Sequence, residues 1–182
     1  EILSGLVGSE MCIRDRYSGM RIGEICALKW SDIDLQSGII RISKTVQRIN
    51  DKIGNSKTKI IVGSPKSRTS EREIPIPNFL VNILNERRQN ENNYILSGTH
   101  KLIEPRTMQN RFKSVLKKCG IRNVNFHLLR HTYATVCIEN GFDAKTVSEL
   151  LGHSNVNITL NRYVHSSLDT KKKYVEKLNF VA

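Results

Sequence analysis

Two hydrophobic periods divide the chain. From Arg21 to Trp30 (RIGEICALKW) the apolar residues stand at 22, 25, 26 and 28, which predicts a helix ended by Ser31-Asp32 and Asp34. Residues 38–48 (GIIRISKTVQR) are rich in Ile, Val and Thr and predict a strand. Residues 57–63 (KTKIIVG) and 71–76 (EREIPI) predict two more, joined through turns at 54–56 and 63–70. After Pro77 the helical period dominates. Residues 78–90 carry Phe79, Leu80, Ile83 and Leu84 as an inner stripe, and a short strand is expected at 94–97. Residues 105–118 open on Pro and stop before Gly120, and 127–139 stop at Asn140-Gly141. Asp143 is placed to cap 144–151 and Ser154 to cap 155–163, with an amphipathic tail helix over 168–178. The expected fold class is therefore mainly α with a small three-stranded antiparallel sheet, an α+β domain.

Composition narrows the class. The chain has 182 residues, 38% hydrophobic and 25% charged, which suits one domain with its own core. No apolar run approaches the ~20 residues of a membrane span, so no membrane partner is expected. The start lacks a basic stretch followed by an apolar one, the mark of a secretory signal. A net charge of +12 favours a polyanionic partner, nucleic acid first. The four cysteines (Cys12, Cys26, Cys119, Cys137) form no CxxC pair, so neither a zinc ribbon nor a disulfide framework is indicated, and a cytoplasmic setting is expected.

One segment stands apart. Leu6 to Arg16 (LVGSEMCIRDR) reads as the in-frame translation of a transposase-type sequencing adapter. Residues 1–16 are therefore expected to be non-native, and 17–182 to form the functional domain. A further domain is expected before Tyr17 in the genuine protein.

Four short motifs carry chemistry, each weak alone. In Tyr17-Ser-Gly-Met-Arg21-Ile-Gly-Glu24 a glycine lets the backbone turn into a helix, leaving Arg21 at its start, where a guanidinium suits a phosphate and Glu24 can steady it. A surface ion pair is the plainer reading. In Pro65-Lys66-Ser67-Arg68, ahead of Arg72, a hairpin lysine could hold a phosphate or protonate a leaving oxygen; a solvated turn is the alternative. His127-Leu-Leu-Arg130-His131 puts His127 and Arg130 on one helical face. His127 and His131 also stand at metal-ligand spacing, but no third ligand is evident; His131 otherwise reads as a core histidine. Finally, Leu151-Gly152-His153-Ser154 precedes Asn161-Arg162-Tyr163. A tyrosine, ordinarily a packed aromatic, becomes a nucleophile only where cations stabilise its phenolate.

Together GMRIGE, PKS…REIPIP, HLLRHT and LGHSNVNITLNRYVH resemble the tyrosine recombinase (phage integrase) family, in that family's order, from Tyr17 to about Asn179. The resemblance implies that family's catalytic-domain fold and a site-specific recombinase that cleaves and rejoins DNA through a 3′-phosphotyrosyl link. It implies Arg21 and Arg130 as the phosphate clamp, His127 as general acid/base and His153 as a phosphate donor. Lys66 would protonate the 5′ oxygen, with Arg68 competing for that role, and Tyr163 would be the nucleophile. It implies no cofactor and no metal. Double-stranded DNA and other protomers of a synaptic tetramer are the implied partners, the tail helix docking on a neighbour through Leu168, Val175 and Leu178, with a basic face on DNA through Lys171, Lys172 and Lys173 as the competing reading. A type IB topoisomerase shares the chemistry, but the motif wording favours integrases. The alternatives left open are a catalytically inactive DNA-binding relative and a metal nuclease using His127 and His131.

Overall fold

The computed structural model describes residues 18–51, 57–65, 67–163, 172, 175 and 176. Among these, six α-helices surround two small antiparallel ladders: α1 (Ile22–Ala27), α2 (Asn78–Glu86), α3 (Pro105–Lys118), α4 (His127–Glu139), α5 (Ala144–Leu151) and α6 (Val156–Tyr163). The strands are β1 (Ile33–Asp34), β2 (Ile39–Ile42), β3 (Thr45–Asn50), β4 (Thr58–Gly63) and β5 (Arg72–Pro75). The expected fold class is borne out. The tail segment 168–178 lies mostly outside the described residues, as do residues 1–17.

The sheet differs from expectation in one respect. The predicted strand over 38–48 breaks at Ser43-Lys44. Its first half, β2, pairs with β5 (Ile40 opposite Ile74) and with β1, giving the order β1-β2-β5. Its second half, β3, pairs only with β4, from Thr45 opposite Gly63 to Asn50 opposite Thr58. The cause is helix α1. Strand β3 crosses it at Gly23, where a Cβ would stand 2.6 Å from Thr45 Oγ1 and 2.7 Å from the Val46 carbonyl. A chain that continued straight in the β2 sheet could not also seal this helix. Only Val46 of β3 is buried, so the β3–β4 hairpin is largely a projecting arm.

Two smaller expectations also shift. No strand forms at 94–97; Tyr94 makes isolated bridges to Lys29 and Thr99 because the chain turns back on itself at Gly98. Helix α2 ends at Glu86, since the residues after it (Arg87, Arg88, Gln89, Asn90) offer no apolar group to bury.

The main core joins Ile25 of α1, Ile40 of β2, Ile74 of β5, Leu80 of α2 and Met108 of α3, all buried, with Phe112 and Phe126 edge-to-face at 5.1 Å. A second cluster, Ala134 and Cys137 of α4 with Val147 and Leu151 of α5, has Tyr133, Ile138 and Tyr163 packed against it. Asp143 caps α5 as expected, accepting from the Thr146 N–H at 2.9 Å. At α6, Asn155 rather than Ser154 caps, accepting from the Asn157 N–H at 2.9 Å, because the helix starts one residue later than expected.

Gly23→Ala is expected to lower the unfolding free energy by about 1–3 kcal/mol through overpacking against β3. Urea denaturation measures it, with Gly63→Ala, which meets nothing within 4 Å, as the control expected to change little.

Candidate functional site

The site is organised by the carboxyl end of α5. The last carbonyls of a helix have no partner within it and carry its negative dipole end. Here three of them in succession each accept from a different arginine. Leu150 O accepts from Arg72 Nε at 2.7 Å, Leu151 O from Arg130 Nη2 at 2.7 Å, and Gly152 O from Arg21 Nη2 at 2.9 Å. Gly152, in the left-handed region, closes the helix and returns the chain toward His153.

Each arginine arrives from a different element. Arg21 is the N-cap of α1. The preceding loop packs so closely that a Cβ on Gly19 would lie 2.5 Å from the Tyr133 ring, and its carbonyl accepts from Arg130 Nη1 at 2.8 Å. Arg130, on α4, is 3% exposed. Burial, then the charge of Arg21, pulls its guanidinium down to about 9, so it stays charged at neutral pH. Arg72 comes from β5, where it shares the inward face with buried Ile74.

One buried carboxylate serves this cluster. Glu24 is 2% exposed and meets Arg21 Nη1 at 2.8 Å, Arg72 Nη2 at 2.9 Å and Arg72 Nη1 at 3.2 Å, while its Oε2 also accepts the Arg21 backbone N–H at 2.9 Å. Burial alone would raise its carboxyl; the hydrogen bond and charge of Arg72, with those of Arg21, outweigh it and hold it below the usual range. The expected Arg21–Glu24 pairing is thus present, with its carboxylate buried and the Arg21 side chain still 38% exposed. Three guanidiniums face one carboxylate, so the cluster keeps a positive excess. A cleft of about 380 Å³ beside it is lined by Arg21, Glu24, Thr45 and Gln47, and by Pro65 and Ser67. Lys66, between those last two in sequence, lies outside the described residues.

The histidines border the cluster. His153 Nδ1 meets the fully buried Thr159 hydroxyl at 2.8 Å. Desolvation, then the charges of Arg130 and Arg21, push His153 down to about 4, leaving it neutral at pH 7. His127 is exposed, and desolvation with the charges of His131 and Arg130 also lowers it. Its ring stands edge-on to His131, centroids 4.7 Å apart. Tyr163, at the end of α6, places its hydroxyl on His131 Nδ1. Desolvation raises the Tyr163 phenol, against the opposing pull of Arg130 and Arg162.

The structure therefore brings Arg21, Arg130 and His153 together on the α5 terminus, with His127 and Tyr163 within the field of Arg130. Three contributors were not singled out from the sequence. His131 read as a core or metal-ligand residue, yet it touches the Tyr163 hydroxyl. Arg72 was named without a role; its alternation with Ile74 in β5 was the available signal, since an inward arginine demands a buried partner. Thr159 stands one helical turn before Tyr163, on the same face of α6. Among the described residues, no group of three His, Cys, Asp or Glu side chains gathers to hold a metal ion, and no helix is long and apolar enough to cross a membrane.

Chemically the arrangement sets an excess of anchored guanidinium charge beside a tyrosine and neutral imidazoles, a setting that suits an anion. The phage integrase family model matches residues 16–169, and the chain belongs to that family. It is 36% identical over 181 residues to a "Tyrosine recombinase XerC-like" of Caldanaerobacter subterraneus subsp. tengcongensis, covering 89% of this chain and 46% of the relative. It is 29% identical over 171 residues to tyrosine recombinase XerA of Thermococcus onnurineus, covering 90% and 52%. The chain thus spans about half the length of the curated relatives it matches. In shape it resembles the Tn1549 transposon integrase solved with transposon right end DNA, with a TM-score of 0.75 at 22% identity over 94% of this chain and 58% of that one. XerA recombinase gives a TM-score of 0.63 at 24% identity over 94% and 58%.

Arg72→Met is expected to cost on the order of 3 kcal/mol, because it strips the buried Glu24 of the arginine that is itself buried and meets both carboxylate oxygens. Adding Glu24→Gln should recover part of that loss. Thermal or urea unfolding of the two single variants and the double variant measures the coupling; additive effects would contradict it.

Proposed function

We propose that this chain is the catalytic domain of a site-specific DNA recombinase or integrase that cleaves and rejoins strands through a 3′-phosphotyrosyl intermediate. The observation that carries the reading is the pair Arg21 and Arg130, each fixed on a carbonyl of the α5 terminus and jointly exceeding the charge of Glu24. Donors fixed in advance stabilise charge that develops on the non-bridging oxygens of an attacked phosphate without reorganising during the step.

In this mechanism the Tyr163 oxygen attacks phosphorus, the P–O bond to the 5′ carbon breaks, and the phenol proton leaves. Arg21 and Arg130 neutralise the non-bridging oxygens. Neutral His153 donates a hydrogen bond from Nε2 when the Thr159 hydroxyl donates to its Nδ1, a tautomer fixed by the nucleophile's own helix. Lys66, by the family resemblance, protonates the departing 5′ oxygen, and His127 serves as acid or base in the same exchange. The phosphotyrosyl bond keeps the energy of the broken phosphodiester. A 5′ hydroxyl from another strand therefore reseals it, with no cofactor in the scheme. Residues 1–16 are read as non-native sequence, and the cytoplasm as the place of action.

The partners follow. Double-stranded DNA suits the +12 charge. Assembly into a synaptic tetramer is supported by an apolar groove of about 660 Å³ formed by Pro75, Ile76 and Pro77 with Tyr133, Val136 and Phe142. Val136 and Phe142 are exposed there. The tail segment, with Leu168, Val175 and Leu178, is the proposed occupant, supplied by a neighbouring protomer.

Tyr163→Phe is expected to abolish the covalent adduct with a nicked suicide duplex while leaving DNA affinity within a few fold, read by denaturing and native gels. Adducts surviving in that variant would overturn the assignment. Val136→Glu is expected to reduce paired DNA complexes on native gels and to leave single-site adduct formation near wild type. Undiminished pairing would remove the groove from the scheme.

A further inference from the structure

The proton that leaves Tyr163 needs a destination, and the geometry names one. The phenolic hydroxyl lies 2.5 Å from His131 Nδ1, with the two rings 5.7 Å apart and tilted at 49°. When Nδ1 is the unprotonated nitrogen of the neutral imidazole, the Tyr163 O–H donates to it, and the charge of Arg162 favours the phenolate that forms as the proton leaves. His127 makes no such contact; its ring packs edge-on against His131 instead.

We infer that His131 is the general base of the cleavage step, taking the Tyr163 proton on Nδ1 as the phenolic oxygen attacks phosphorus. This rests on the recombinase reading and deepens it. The balance is simple. The O–H bond of Tyr163 breaks, N–H forms on His131, O–P forms, and the P–O bond to the 5′ carbon breaks, its electrons leaving with the 5′ oxygen. On resealing, His131 returns the proton to the tyrosine as the 5′ hydroxyl attacks.

The surroundings suit both directions. His127 and Arg130 face His131 from α4, and Arg162 and Tyr163 face it from α6. Desolvation and the charges of Arg162 and Arg130 lower its basicity, so it is neutral and ready to accept at pH 7. The same cations make the protonated form short-lived, which favours returning the proton. Helix spacing supports the arrangement: Arg130 and His131 are neighbours on α4, so one helix brings a guanidinium to the α5 terminus and an imidazole to the Tyr163 hydroxyl.

The test uses the chain as it stands, with a nicked suicide duplex and single-turnover adduct formation. His131→Ala is expected to slow adduct formation by about 100-fold, within the usual range for a positioned base, with duplex affinity and melting temperature near wild type. His131→Asn separates chemistry from positioning. Its Oδ1 stands near the place of Nδ1 and accepts a hydrogen bond but not a proton, so it is expected to be as slow as the alanine variant. Added imidazole should restore part of the rate in His131→Ala and none in Tyr163→Phe. Across pH, the wild-type rate should rise through an acid limb below the ordinary histidine value of 6.5, and that limb should flatten in His131→Asn. Wild-type rates in His131→Asn would reduce His131 to a positioning residue and overturn the inference. Faster cleavage in His131→Ala would make the contact a restraint on Tyr163 and overturn it too. A wild-type chain that forms no adduct would defeat the recombinase reading, and this assignment with it; slow variants beside an active wild type uphold both.

Discussion

The carboxyl end of α5 is the constraint on which the rest depends. A helix terminus leaves carbonyls that must be satisfied, and burying it without partners is costly. In this chain the partners are three arginines drawn from α1, α4 and β5. Satisfying the helix thus assembles the guanidinium cluster. The guanidiniums repel one another, and that repulsion is offset by the α5 dipole and by the single buried Glu24. Fold and site are therefore one structure. The loop at Gly19, the end of α5 and the inward face of β5 meet because the arginines tie them together.

Much of the fold was legible in the sequence, for local reasons. Helices α3, α4 and α5 follow from apolar spacing and from Pro105, Gly141 and Asp143 at their ends, signals that act within a few residues. The split of the predicted 38–48 strand was not legible. Alternation in GIIRISKTVQR looks the same whether the strand runs straight or leaves its sheet, and the reason it leaves is Gly23, in another element. Ser154 lost the α6 cap to Asn155 by a shift of one residue, a distance that propensity does not resolve.

The candidate site divides the same way. Arg21, His127, Arg130, His153 and Tyr163 were read from motifs in order, and the structure gathers them; the sixth, Lys66, lies outside the described residues. The contacts of His131 and Arg72 were not legible because each meets a residue far along the chain. Arg72 answers Glu24 across 48 positions and His131 answers Tyr163 across 32. A histidine on a helix looks the same in sequence whether it faces a core or a phenol. The neutral state of His153 was equally hidden, since it comes from burial and from guanidiniums that only folding brings near.

In the proposed recombinase the anchored arginines neutralise charge on an attacked phosphate. The most direct measurement compares Arg130→Ala on two duplexes, one with a natural scissile phosphate and one in which an uncharged methylphosphonate replaces it. Charge neutralisation by the α5-anchored pair predicts that the variant fails on the phosphate yet forms tyrosyl adducts on the methylphosphonate, where one negative charge no longer needs a partner. Equal failure on both duplexes, with the variant folded and binding DNA, would contradict it.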